Sequence, residues 1–118
     1  MTRVNAYTKD LPKSTKYRIV VQVLINYFTF LRSNLKSRTF YVDTWRILKY
    51  TDRRLYTVVN GKSLTSTMSI IFDYLEDLGL LKKVKYRWNS KKKGRIYEGK
   101  KEDIDIILKV LNCLLHRL

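Results

Sequence analysis

The chain has 118 residues, of which 25 are Lys or Arg and 10 are Asp or Glu, giving a formal charge of +15 alongside 45% hydrophobic residues. That length supports one domain with its own core and leaves no room for two. So cationic a surface attracts polyanions, which ranks nucleic acid first among partners, anionic membrane second and an acidic protein third.

Single residues exclude further classes. The lone cysteine, Cys113, cannot form an internal disulfide, so an intracellular, cytoplasmic setting is expected. The richness in Lys, Ile and Tyr points to an archaeon or one of its viruses, in which case the cytoplasm is the host's. Cys113 falls in an apolar helix and reads as a buried, inert thiol. His116 is the only histidine, so neither a metal site nor a Ser-His-Asp set is expected. Neither GxxxxGK[ST] nor GxGxxG occurs, and the acids sit where they cap or solubilise helices. No enzyme activity, cofactor or metal is therefore expected.

Residues 1–12 have mixed polarity and no apolar run, unlike a signal peptide or membrane anchor. They read as a flexible basic arm ahead of a domain over 13–118; Arg3, Lys9 and Lys13 touching phosphates is the alternative. Lys13 to about Leu35 predicts a long first helix with Ser14 as its cap. Ile19, Val20, Val23, Leu24, Tyr27, Phe28, Leu31 and Leu35 form its stripe, while Val21, Ile25 and Phe30 widen it enough to require more than one neighbour. Its apolar segment, residues 19–31, is broken by Gln22 and Asn26 and falls short of the roughly 20 residues that span a bilayer.

Arg38–Val42 is short and β-favouring. Asp43 caps a helix beginning at Thr44, with Trp45, Ile47, Leu48 and Tyr50 apolar. Asp52–Val59 reads as a further helical turn that Asn60-Gly61 breaks. Arg46, Lys49, Arg53, Arg54 and Lys62 are expected on backbone phosphates, which fix register without reading sequence.

A helix is predicted over 64–78, capped by Ser63 and stopped by Gly79. Leu64, Met68, Ile71, Leu75 and Leu78 form its buried stripe, with Thr67, Phe72 and Tyr74 at the edges. Ser66, Ser69, Asp73 and Glu76 point away from it. The first turns carry Thr65, Ser66 and Ser69, short hydroxyls that allow close approach to bases or phosphates; Asp73, Glu76 and Asp77 follow. Beyond Gly79, Val84, Tyr86 and Trp88 alternate with Lys83, Lys85 and Arg87, and Asn89–Gly94 forms a turn with three lysines before Arg95–Glu98 returns. Residues 82–101 hold ten cations (82, 83, 85, 87, 91, 92, 93, 95, 100 and 101) and a single acid, Glu98.

The run IIFDYLEDLGLLKKV, residues 70–84, resembles the passage from recognition helix to wing in winged helix-turn-helix domains. The resemblance implies a mainly α fold with a small antiparallel β-hairpin (α+β) and a duplex-DNA face. Lys62, Thr65, Ser66 and Ser69 would lie there with wing residues Lys85, Arg87, Lys91, Lys92, Lys93 and Arg95, flanked by Arg46, Arg53 and Arg54. The stretch from Tyr50 to Leu64 departs from the family, being longer than the usual three- or four-residue turn.

Glu102–Leu118 predicts a last helix whose stripe is Ile104, Ile107, Leu108, Leu111, Leu115 and Leu118, widened by Ile106, Val110 and Leu114. Its expected role is dimerisation: packing on the first helix and on the same elements of a second copy through Ile104, Ile107, Leu108, Leu111 and Leu115. Folding back on its own domain is the alternative. The architecture is similar to that of MarR-like dimeric regulators. The function expected is therefore a dimeric winged-helix transcription regulator. A nucleoid-type architectural protein of low specificity is the second reading, since Thr65, Ser66 and Ser69 lack the bidentate reach of Arg, Asn or Gln. A module binding RNA or replication machinery is the third. The nine tyrosines mostly fall at core spacing and are assigned to the core rather than to base stacking.

Overall fold

The first helix lies at the centre because it is apolar on more than one side. A computed structural model describes residues 13–48, 61–84 and 96–117. In chain order these form α1 (Lys13–Asn34), β1 (Thr39–Val42), α2 (Thr44–Leu48), α3 (Gly61–Asp77), β2 (Leu81–Val84), β3 (Ile96–Lys100), a single 3-10 turn (Lys101–Asp103) and α4 (Ile104–Arg117). The fold is mostly helical with one small three-stranded antiparallel sheet.

Val20, Val21, Leu24 and Phe28 of α1 are almost fully buried, and the helix packs against α4, α3 and α2. The width of its apolar sector is met by neighbours from the same chain. Ser14 lies inside α1, so it is not the cap. Likewise α3 already includes Gly61, Lys62 and Ser63, so Gly61 does not break the chain ahead of the helix and Ser63 does not cap it.

The strand order is β1-β3-β2, with β1 and β2 both antiparallel to β3. Thr39 pairs with Lys100 at one end of the sheet, and Val42 with Tyr97 towards the other. On β2, Leu81 pairs with Gly99 and Val84 with Ile96. Phe40, Gly99 and Leu81 lie side by side facing the core, and a Cβ on Gly99 would overlap the Phe40 ring. Phe28 meets that ring edge-on at 5.8 Å between centroids. Glycine at 99 is what lets an aromatic residue lie across the backbone of the middle strand.

The α3 phase is largely as its spacing predicts, since Met68, Ile71, Phe72 and Leu75 are buried. Leu78 is the exception. It is about half-exposed, because α3 ends at Asp77 and Gly79 turns the chain away at φ +79°. There the Gly79 N–H donates to Glu76 O and the Leu80 N–H to Leu75 O, the paired bonds of a Schellman stop. Thr67, placed at an edge of the stripe, is buried.

Two other expectations are corrected. Cys113 is exposed, because α4 turns a different sector towards α1. Tyr41 and Tyr74 are also substantially exposed rather than core, whereas Tyr27 and Tyr97 are buried. Among the described residues, no helix is long and apolar enough to cross a membrane.

Candidate nucleic-acid interface

The tight turn at Gly79 makes α3 and β2 run back to back. Glu76 accepts the Lys83 backbone N–H at 2.9 Å, and Asp73 accepts the Tyr97 hydroxyl at 2.6 Å. Moving from Asp77 back towards Ser66 therefore follows the sheet from the Leu81–Gly99 pair towards the Val84–Ile96 pair. Eleven helical residues rise about 16 Å, against about 10 Å for the three steps along β2. The Ser66 end of α3 is therefore directed past the end of the sheet where Val84 and Ile96 pair, the two residues that segment 85–95 connects. Ser66 is exposed and Ser69 half-buried.

The start of α2 adds to the same end, because it follows Val42, the partner of Tyr97. Asp43 caps α2 as predicted, its carboxylate accepting the Arg46 N–H at 2.7 Å. Arg46, expected on phosphate, is engaged within the chain. Its guanidinium donates to Tyr41 O at 3.1 Å and stands 3.9 Å from the Asp43 carboxylate, which partly neutralises it.

Two of the three acids of α3 do something other than face solvent, while Asp77 is exposed. Asp73 and Glu76 turn to the sheet, where the Lys83 ammonium sits 3.6 Å and 3.8 Å from their carboxylates and 5.9 Å from the centre of the Tyr97 ring. Lys83 is thus occupied within the chain, one cation fewer for a polyanion. As β2 is an edge strand, Glu76 also covers a backbone N–H on that edge. The clamp fixes the root of the hairpin against α3, and sequence periodicity had no means of finding it, since acids opposite an apolar stripe read as solvated.

Of the predicted contact residues, Ser66, Ser69 and Arg46 lie among the described residues, Ser66 and Arg46 exposed and Ser69 half-buried. The backbones of Lys62 and Thr65 belong to α3. Arg53, Arg54, Lys85, Arg87, Lys91, Lys92, Lys93 and Arg95 lie outside the described residues, as do the arm over 1–12 and the turn over 52–59. Along the outside of α3, Ile70, Tyr74 and Leu78 are 51, 42 and 48% exposed, an apolar ridge at four-residue spacing that continues from Ser66.

Glu98, at the middle of the outer face, pairs across the strands with Tyr41 and Lys82. It accepts the Tyr41 hydroxyl at 2.9 Å, which, with its negative charge, raises that phenol above its ordinary value of 10.0. Among the described residues no three His, Cys, Asp or Glu side chains gather as a metal ion would require.

The chain matches no protein-family model, no curated protein and no solved structure. Its function has therefore to be argued from its own residues.

Proposed function

We propose that the chain is a duplex-DNA-binding protein of the winged helix-turn-helix kind, reading DNA with the N-terminal half of α3 and a basic wing over 82–98. The run of α3 against β2 and β3 carries the reading: it directs the Ser66 end of α3 towards the end of the sheet where Val84 and Ile96 pair, the residues that the lysine-rich segment 85–95 connects. Among the described residues, the strand between the first two helices and the strand order β1-β3-β2 support it. The net charge of +15 supplies the attraction. In this reading the Asp73 and Glu76 clamp keeps carboxylates off the phosphates and ties Lys83 and Tyr97, at the root of the wing, to α3. A dimeric regulator places two such ends in successive major grooves.

The ridge of Ile70, Tyr74 and Leu78 favours a second reading, an architectural protein of low specificity. The exposed sector of α3 offers apolar surface rather than the Arg, Asn or Gln that make bidentate base contacts. Replacing Lys91, Lys92 and Lys93 together with Ala is expected to weaken binding to every duplex and to flatten the salt dependence by about one unit for each phosphate no longer neutralised. Unchanged affinity and slope would remove the wing from the interface. Selection of bound duplexes from a random pool separates the two readings: a palindromic motif supports the regulator, and no motif the architectural protein.

A further inference from the structure

A second cationic site stands at the opposite end of the sheet. Where β1 begins and β3 ends, the end of α1 and the start of α4 enclose an open cleft of about 750 Å³. Its walls carry Arg32, Arg38, Lys100 and Lys101, with Glu102 and Asp105 on the α4 side. Arg32 and Asp105 satisfy one another at 3.4 Å. That leaves three exposed cations, Arg38, Lys100 and Lys101, against Glu102.

The backbone holds those three together. The Lys101 N–H donates to Arg38 O at 2.8 Å, and Thr39, the residue after Arg38, pairs with Lys100. Paired strands lie about 4.8 Å apart, so the backbones of the three residues stay together as long as the end of the sheet holds. An anion among the three gains attraction from each of them. The flexible, aliphatic stems of Lys and Arg and the buried Ile104 beneath give the cleft an apolar floor and a charged rim.

We propose that this cleft grips the phosphate backbone of a second nucleic-acid segment, so that one chain joins two duplexes; the inference rests on the duplex-binding reading above. Four steps along β3 separate Ile96 from Lys100, about 13 Å of strand. A straight duplex seated across the Ser66 end, at right angles to the strands and beyond them, would leave the far end of the sheet uncovered. The cleft thus adds a contact that the first duplex leaves free, which is what a protein that gathers DNA requires.

The test uses the full chain and a variant in which Arg38, Lys100 and Lys101 are all Ala, exposed positions where the substitution removes no buried packing. In the first arm, inorganic pyrophosphate is titrated while backbone amides are followed by NMR. Shifts centred on 38, 100 and 101 are expected, with affinity falling about tenfold or more in the variant; no shift there overturns the site whatever DNA does. In the second arm, donor- and acceptor-labelled duplexes are mixed with protein and energy transfer between them is read. The native chain is expected to bring them together, and the triple variant to bind one duplex without joining two. A variant with Arg38→Lys, Lys100→Arg and Lys101→Arg is expected to restore transfer. Transfer retained by the Ala variant overturns the proposal, because two wings of a dimer then do the joining. Pyrophosphate binding without transfer overturns it too, and makes the ligand a small free phosphate. If the native chain binds no duplex at all, the proposed function fails with the second arm, whereas a failure of the cleft alone leaves single-duplex binding intact.

Discussion

Two glycines test whether backbone geometry or space limits a position. Gly79 sits at φ +79° with nothing within 4 Å of where a Cβ would stand, so Gly79→Ala meets only conformational strain. A loss of about 1–2 kcal/mol in urea unfolding is expected from placing an L side chain in the left-handed region. Gly99→Ala instead drives a methyl into the Phe40 ring, which is packed between Phe28 and the sheet. Overpacking of that kind costs about 1–3 kcal/mol, and Phe40→Leu in the same chain should recover part of it. No recovery at Gly99→Ala, or an equal recovery of the Gly79→Ala loss by Phe40→Leu, would contradict the packing described. At Tyr41 the expectation is one of titration. Its hydroxyl donates to Glu98, so the folded chain holds that proton more tightly than the unfolded chain does. The contribution is present below the ordinary phenol value of 10.0 and is lost as pH rises through the raised one. Following the Tyr41 Cζ resonance by NMR, Glu98→Gln should lower the titration point, since the amide keeps an acceptor and loses the charge.

The join between α3 and the hairpin depends on a few polar contacts laid over a packed interface. The Phe72 and Tyr97 rings pack with centroids 5.1 Å apart, tilted at 45°, and the Tyr97 hydroxyl donates to Asp73. Tyr97→Phe removes one hydrogen bond to a carboxylate that still keeps the Lys83 ammonium beside it, so about 1 kcal/mol is the expected loss. Leu75→Asp is a different matter, because that side chain is fully buried and nothing apolar around it can pair a charge; the cooperative melt should disappear. The helices were legible from the sequence because apolar spacing is a property of the chain: Ile71 and Leu75 had to face inward whatever lay opposite. Their ends were less so. Ser14 and Ser63 are residues that favour caps, yet both fall within helices, since local preference is worth about 1 kcal/mol and packing of the whole element outweighs it. Gly79 and Asp43 act as their types suggest, because each supplies something few other residues do: a left-handed turn, and an acceptor for the N–H of Arg46. The roles of Lys83, Asp73 and Glu76 were hidden. Charges are assigned to solvent by default, and only the fold decides which of them meet.

At the scale of the molecule the open question is how many copies act together. The stripe expected to form a dimer, Ile104, Ile107, Leu108 and Leu111, is buried within the chain, chiefly where α4 lies against α1, and Leu115 is half-buried there. Those side chains already have an apolar environment, so a second copy cannot gain by covering them. The neighbouring sector of α4 remains: Ile106 exposed, Val110 and Leu114 half-buried, and Cys113 exposed beside them. If α4 is the dimer contact, as the dimeric regulator requires, it is this sector that pairs across the two-fold axis. Light scattering should then give twice the 14.2 kDa of one chain, and Ile106→Asp should return it to that value with a cooperative melt retained, since the position is exposed in the single chain. Mild oxidation offers an independent reading, because a contact along this sector brings the two Cys113 residues close to the axis, where they cross-link without denaturant. A native particle of 14.2 kDa with no cross-link means that α4 serves only its own domain. DNA binding would then rest on one wing and one helix per chain, and the palindromic site of a two-fold regulator would no longer be expected.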